Sequence, residues 1–501
     1  MEKLKDRYLM DKLFLLLLVL QPFIDMYRAF FQDTISIFGF AIEEIINLVL
    51  IAVLVVLALI QLIQSKGWRR LLVYGGYFVF FLIYLVLHML NSSKFDESVF
   101  SLADVSMIRN GYYVVRAYGV PIALMFSVMI HGFEDRYFSK AVKVVAFVIS
   151  LVMVVTNIFK VSLVSYSLIN EPIIGSIFDW GELNCSLDYF VYDLYTSKGW
   201  FYSANQMSAL LFALMPFTVK EVVDHFNWKT VGLMLLQAIA MMMIGTKTAA
   251  QGAIIVIGIV MVVAIVLHYV FKTYQFKARK VIIPFFCLLM AGGSILYLNS
   301  PSKIRVVCMD GIEVEERPED PNAPTFTGKE AMIQYIKDHY DDYYINKTFI
   351  KYYPVEENFD FWYAMISHDR RINKDNRKFK VLMSKDIVMK NDNSMDKLLG
   401  IGFTSNLLYT ERDYWYQYFI LGGAGTILVL APFFVVLLIA AYRILRRIKD
   451  LATMQNMMLG LAICVYLGVA YLAGHVLGIL QNMIFLAIYC GKLYYDTKKE
   501  G

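Results

Sequence analysis

Residues 40–62 read FAIEEIINLVLIAVLVVLALIQL, and no charged side chain occurs between Ile45 and Leu62. About 20 consecutive apolar residues are what a helix needs to cross the hydrocarbon of a bilayer. A surface helix of a soluble protein would instead show a polar face at helical spacing. Outward from this run the same kind of segment recurs, and twelve spans are expected: 11–30, 40–62, 71–90, 113–131, 142–160, 202–219, 230–246, 250–271, 281–299, 414–441, 455–473 and 476–495. The fourth and sixth are the least uniform, because Arg116 and the polar run Ser203-Ala204-Asn205-Gln206 fall near their ends. The first apolar run, Leu13 to Phe23, is followed by no small-residue cleavage site and reads as a span.

Composition agrees. Of 501 residues 58% are hydrophobic, the mean hydropathy is +0.55, and only 18% are charged. Soluble chains are about 45–50% apolar, so the excess calls for lipid as part of the solvent. The net charge of +5 is small for this length and no basic region stands out, so no nucleic-acid partner is expected. A Walker-type glycine loop is absent from the sequence, which argues against an ATP-driven pump.

Lysines and arginines sort by loop. Alternate connections carry Lys3, Lys5, Arg7 and Lys12; Lys66, Arg69 and Arg70; Arg136, Lys140 and Lys143; Lys220 and Lys229; Lys272, Lys277, Arg279 and Lys280; Arg443, Arg446, Arg447 and Lys449; and Lys492, Lys498 and Lys499. The intervening short loops carry far fewer. The positive-inside rule then places both termini in the cytoplasm. Three regions are expected. Residues 1–299 hold nine spans and an outer loop, 161–201. Residues 300–413 form a large extracytoplasmic insert, and 414–501 hold the last three spans with a cytoplasmic tail.

The insert opens on an acidic, proline-containing stretch (Glu313, Glu315, Glu316, Pro318, Glu319, Asp320, Pro321) that reads as a linker. A tyrosine-dense part follows, with Tyr335, Tyr340, Tyr343, Tyr344, Tyr352, Tyr353, Trp362 and Tyr363. These rings suit either stacking on sugars or the core of a small domain. A basic amphipathic stretch from Arg370 to Lys390 reads as helix. Cys185 and Cys308 fall on the same expected side, which leaves a disulfide open. Cys287, Cys464 and Cys490 lie in apolar runs as packing residues.

Charges near the membrane that do not serve as cytoplasmic anchors carry the functional information. Lys247 sits in Gly245-Thr246-Lys247-Thr248-Ala249 between two apolar spans, where it either snorkels to headgroups or holds a phosphate beside Thr246 and Thr248. Arg370 and Arg371 follow His368, and guanidinium forks match phosphate oxygens. Glu411, Arg412 and Asp413 stand just before the tenth span, as a tuned base or as an interfacial salt-bridged cap. Asp25 and Arg28 near the first span, Arg116 in the fourth and Asn205 in the sixth place polar groups at one depth, as the wall of an outward cavity would.

With these motifs in order, the chain resembles the O-antigen ligase and O-antigen polymerase superfamily, in the form common in Gram-positive bacteria. The resemblance rests on Gln21-Pro22-Phe23-Ile24-Asp25, Gly199-Trp200-Phe201-Tyr202-Ser203-Ala204-Asn205, Gly245 to Ala249, Arg370-Arg371, Leu399-Gly400-Ile401-Gly402 and Glu411-Arg412-Asp413-Tyr414. It implies a metal-independent, cofactor-free glycosyltransferase of the GT-C type in the bacterial plasma membrane. Its implied donor is a glycan on a polyprenyl diphosphate, commonly undecaprenyl, and its acceptor a second glycan or the cell wall. By similarity Lys247 stands where many members have an arginine, and Glu411 near where the ligases place a histidine. That departure favours a polymerase over a ligase. Lys247, Arg370, Arg371, Arg116 and Arg412 are expected at the diphosphate, and Glu411 is the preferred base with Asp413 and His368 as rivals. A lipid-linked oligosaccharide flippase is the alternative and a non-catalytic scaffold the third reading; the late insert and the lack of matched halves speak against a transporter.

Overall fold

The computed structural model describes residues 2–31, 36–37, 40–165, 171–184, 189–311, 328–343, 345–367, 376–404, 408–410, 412–472, 474 and 476–498. The acidic linker and Tyr344 lie outside them. The chain folds as α1 (Glu2–Phe30), α2 (Ile42–Gln64), α3 (Trp68–Ser92), α4 (Met107–His131), α5 (Asp135–Ile158), α6 (Ala204–Asp224), α7 (Trp228–Met243), α8 (Lys247–Phe271) and α9 (Arg279–Leu298). The helices of the insert follow: α10 (Pro301–Gly311), α11 (Lys329–His339), α12 (Lys347–Tyr352), α13 (Phe359–Ser367), α14 (Asn376–Lys390) and α15 (Asp396–Leu399). Then come α16 (Asp413–Arg446), α17 (Met454–Leu472) and α18 (Leu480–Lys498).

Every segment expected as a span coincides with a helix. Ten of these helices are long and apolar enough to cross a membrane, so the protein is a multi-pass membrane protein. The two that fall short do so for different reasons. With 16 residues, α7 rises only about 24 Å. The length of α18 is sufficient, but it carries Gln481, Asn482, Lys492 and Asp496. Its polarity is tolerated because it touches almost no lipid. From Leu480 to Leu493 every residue is buried, against α4, α6, α16 and α17. Lys492, 1% exposed, donates to the Phe133 carbonyl at 2.8 Å and pairs with Asp135 at 2.5 Å and Asp496 at 3.0 Å. A buried ammonium with three acceptors is stable where a lone one is not.

One end of the bundle gathers the last residues of α1, α3, α5, α7 and α9, the first residues of α2, α4, α6 and α8, and the insert; this is the insert end. There α16 is interrupted: Gly422 adopts φ 65° and ψ −179° inside it. The break leaves carbonyls without helical donors, and such groups cannot stay unpaired away from water. Residues 400–402 supply the donors. The Ile401 and Gly402 amides reach the Phe419 and Ile420 carbonyls at 3.4 and 3.0 Å, and the Tyr84 hydroxyl of α3 donates to Leu421 at 2.7 Å. The approach is so close that a Cβ on Gly400 would lie 2.2 Å from the Ile420 oxygen. Asn91 of α3 fixes the same segment, donating to Gly400 O at 2.9 Å and Asp396 Oδ1 at 2.8 Å. Burial raises the Asp396 carboxyl above the ordinary carboxylate range.

The insert has a small aromatic core. Trp362 and Tyr353 are fully buried with Phe349, Phe361, Phe379, Met383 and Ile387. Trp362 Nε1 donates to the Tyr353 carbonyl at 2.8 Å, and the Tyr353 hydroxyl bonds to Asp386. For Tyr353 and Trp362 the core reading therefore holds over the sugar-stacking one, while Tyr363 stays 46% exposed. Helix α14 buries Phe379, Met383 and Ile387 and leaves Lys378 outside, the amphipathic arrangement expected of that stretch. Cys308 is disulfide-bonded, whereas Cys287, Cys464 and Cys490 are free; the remaining cysteine, Cys185, lies outside the described residues.

Candidate active site

A chain of side-chain amides crosses the insert end. Gln21 Nε2 of α1 donates to Asn47 Oδ1 of α2 at 2.7 Å, and Gln481 Nε2 of α18 donates to the Gln21 carbonyl at 3.1 Å. Gln206 Nε2 of α6 donates to Gln481 Oε1 and to Asp25 Oδ1, the latter at 3.2 Å. Asp25 Oδ2 also accepts the Tyr202 amide at 2.9 Å. All five side chains are buried. Two cations stand over the Asp25 end. The Arg28 guanidinium lies 4.1 Å from the Tyr202 ring centre, and Lys198, 3% exposed, donates to the Tyr202 carbonyl at 3.0 Å. Burial holds the Lys198 pKa below the ordinary lysine value, with the Asp25 carboxylate pulling the other way.

A second cluster lies beside it, carried by α16, α4 and the turn before α18. The Asp413 carboxylate, fully buried, accepts the Val476 and Leu477 amides at 2.8 and 2.7 Å on one oxygen and the Tyr409 hydroxyl at 2.9 Å on the other. Gln417 joins the Tyr118 hydroxyl to the Leu477 carbonyl. Burial pushes the Tyr409 hydroxyl pKa well above the ordinary tyrosine value. Tyr113 lies within electrostatic reach of both Asp413 and Arg116. Arg116 occupies a π-helical turn, Val115–Gly119, a local widening that often marks function. Its guanidinium pairs with Glu44 of α2 and sits 5.9 and 5.8 Å from the Tyr112 and Tyr113 ring centres. Asn47 follows Glu44 by one turn, so α2 ties the two clusters together, as the segment from Leu477 into the first turn of α18 does through Gln481.

The third element is the turn into α8. Thr246 caps this helix, accepting the Ala249 amide at 3.2 Å, and its hydroxyl bonds to Ser208 of α6 at 2.7 Å. Gly245 has φ +78°, and a Cβ there would lie 2.4 Å from Thr196, so the turn is pressed against the loop that carries Lys198. Lys247 is exposed at the first turn of α8 with Thr248 half-buried beside it.

The family of O-antigen ligase like membrane proteins matches residues 7–500. The chain belongs to this family. No curated protein matches it individually. O-antigen ligase like proteins are membrane enzymes of polysaccharide biosynthesis, of glycosyltransferase type, and multi-pass helices with a lipid-linked glycan as substrate fit that class.

Within this O-antigen ligase like chain the expected site residues are distributed unevenly. Asp25, Arg28 and Asn205 collect around Tyr202 and Gln206, with Asn205 half-buried in the first turn of α6. Arg116 lies 5.8 Å from the Tyr113 ring centre, and Asp413 holds the Val476 and Leu477 amides. Thr246 is a cap, and Arg412, half-buried, precedes α16 and accepts the Trp415 and Tyr416 amides on its carbonyl. His368, Arg370, Arg371 and Glu411 lie outside the described residues, so their distance from Lys247 is not part of this geometry. The Asp413 carboxylate is committed to fastening the turn before α18, the role of a structural clamp. Arg116 is not a solitary cation, since Glu44 faces it.

Sequence reading singled out Gln206 within its polar run but missed Lys198, Gln481, Asn47, Glu44 and Tyr409 as members of the candidate site. The amides had a usable signal, because a polar side chain inside an apolar run needs a partner on another helix. Glu44 had none. A carboxylate in the first turn of a helix is ordinary pairing with the helix dipole.

Proposed function

We propose that this protein is a glycosyltransferase that joins glycan units carried on a polyprenyl diphosphate, commonly undecaprenyl, at the insert end. Polymerisation is favoured over ligation. The observation that carries the reading is the match of an O-antigen ligase like family to residues 7–500. The charge sorting of the short loops supports an outward-facing insert end and cytoplasmic termini in a bacterial plasma membrane, with residues 300–413 as an extracytoplasmic domain.

The chemistry asks for little more than fixed positive charge. An acceptor hydroxyl attacks the anomeric carbon, and the lipid diphosphate leaves with the bonding electrons. Preorganised cations that neutralise this leaving group make a metal or nucleotide unnecessary. Lys247, Arg370, Arg371, Arg412 and Arg116 are assigned to the diphosphate. Asp25, Arg28, Asn205, Thr246 and Thr248 line the polar approach, and Glu411 and His368 are candidate bases. A GT-C type arrangement follows from the same reading.

The test is direct. Purified full-length protein in lipid nanodiscs is mixed with a polyprenyl-diphosphate oligosaccharide, and the glycan length is followed by mass spectrometry. Lengthened lipid-linked chains are expected. Transfer only to a second acceptor makes the protein a ligase, and movement between leaflets without new glycosidic bonds overturns the enzymatic reading.

A further inference from the structure

Three carboxylates border the polar clusters of the insert end among the described residues: Asp25, Asp413 and Glu44. Asp25 is 1% exposed and accepts from a backbone amide and from Gln206. Asp413 is wholly buried and accepts two amides and a hydroxyl. Each is spent on structure. Glu44 differs in every respect. It stands on the first turn of α2 with its side chain 22% exposed, and the Arg116 side chain it faces is 23% exposed. Glu44 Oε2 accepts the Tyr112 hydroxyl at 2.7 Å, while Oε1 meets the Arg116 guanidinium. The Arg116 Nε is buried with no hydrogen-bond partner among the described residues, although a guanidinium has five donors to place.

An ion pair that is half open, built on a π-helical turn and left with a donor unspent suits a cation that changes partners. We infer that Glu44 is the catalytic base of the glycosyl transfer proposed above, and that Arg116 masks it until the donor diphosphate draws the guanidinium away. The inference rests on that functional reading. Arg116 moves from Glu44 Oε1 to the diphosphate oxygens, released from a place beside the Tyr112 and Tyr113 rings that it touches only at 5.9 and 5.8 Å from their centres. Glu44, now without its counter-charge and still oriented by Tyr112, accepts the acceptor hydroxyl proton on Oε1. The acceptor oxygen forms a bond to the anomeric carbon as the bond from that carbon to the diphosphate oxygen breaks, and the electron pair leaves with the polyprenyl diphosphate. Masking the base until donor is bound also keeps the empty site from activating water.

Glu44→Gln keeps the shape and the Tyr112 hydrogen bond but removes proton acceptance. With polyprenyl-diphosphate oligosaccharide as donor, kcat is expected to fall about 100- to 10,000-fold, the usual loss on removing a general base, while the donor KM stays within about threefold. Glu44→Asp is expected to retain more activity than Glu44→Gln. If Glu44→Gln keeps kcat within about tenfold of wild type, or if its loss appears in KM alone, Glu44 is not the base. Glu411→Gln and His368→Ala, measured alongside, show whether either carries that role instead. Should Glu44→Gln fail to fold, Glu44→Asp decides in its place: a kcat loss above about tenfold supports the inference and an unchanged kcat overturns it. Wild-type protein that forms no glycosidic bond rejects the functional reading itself, a separate result from an active wild type with an active Glu44→Gln.

Discussion

Helix α18 has a charged or polar anchor near each end, and the two are built differently. At Lys492 every demand is met, with a carbonyl and two carboxylates around one ammonium. At the insert end the same helix joins a network in which Gln21 Oε1, Gln206 Oε1 and Arg116 Nε are buried without hydrogen-bond partners among the described residues. Buried polar groups are paired in the great majority of cases. A saturated site has no capacity left for a ligand. An unsaturated one holds its donors and acceptors for something that arrives later. Polarity inside the bundle therefore serves two ends, a closed anchor at Lys492 and an amide network at the insert end.

The contrast can be broken by substitution. The largest effect is expected at the cations of the insert end. Lys247→Ala and Arg371→Ala should each lower turnover by hundreds-fold, as losing one donor of a preorganised anion site costs about 3–4 kcal/mol in the transition state. Initial rates of chain growth measure this, and a double variant with wild-type rate would remove both residues from the mechanism. Lys492→Met should do the reverse. Stability in detergent is expected to drop by about 2–3 kcal/mol, somewhat under the value for a fully buried pair because Asp135 is 69% exposed. Activity per folded molecule should not change; a selective loss of turnover would mean that the saturated end is also functional.

Two smaller effects sharpen the picture within the insert end. Gly422→Ala forces a side chain into φ 65° and against Leu398, at a cost of about 1–3 kcal/mol or more, and thermal stability and turnover should fall together. Tyr409→Phe removes a hydroxyl hydrogen bond to the Asp413 carboxylate, and about 1.5–3 kcal/mol of stability is expected to go with it. A large kcat loss at unchanged stability would instead make Tyr409 a participant in the reaction.

Much of this architecture was legible from residue order. Apolar runs and loop charges anticipated each helix of the bundle, because a bilayer leaves the backbone few other choices. The motif Gln21 to Asp25 and the motif Gly199 to Asn205 were both singled out in the sequence, and the structure joins them through Gln206, Tyr202 and Asp25. What could not be read was partnership. Nothing in the sequence couples Glu44 to Arg116, 72 positions away, or commits Asp413 to the amides of Val476 and Leu477. The break at Gly422 was equally hidden, since a glycine inside an apolar run reads as helix until another backbone is seen against it. Hydropathy also ranked α18 among ordinary spans, though neighbouring helices rather than lipid surround it.

That burial has a bearing on how the protein is made. A segment containing Gln481, Asn482 and Lys492 has little affinity of its own for hydrocarbon; Gln481 is met by α1 and α6, and Lys492 by the turn after α4, by Asp135 at the start of α5 and by Asp496 of the same helix. It is also synthesised after all the other helices named here. The newest helix is therefore drawn in by packing against the older ones, above all α4, α16 and α17, rather than by lipid.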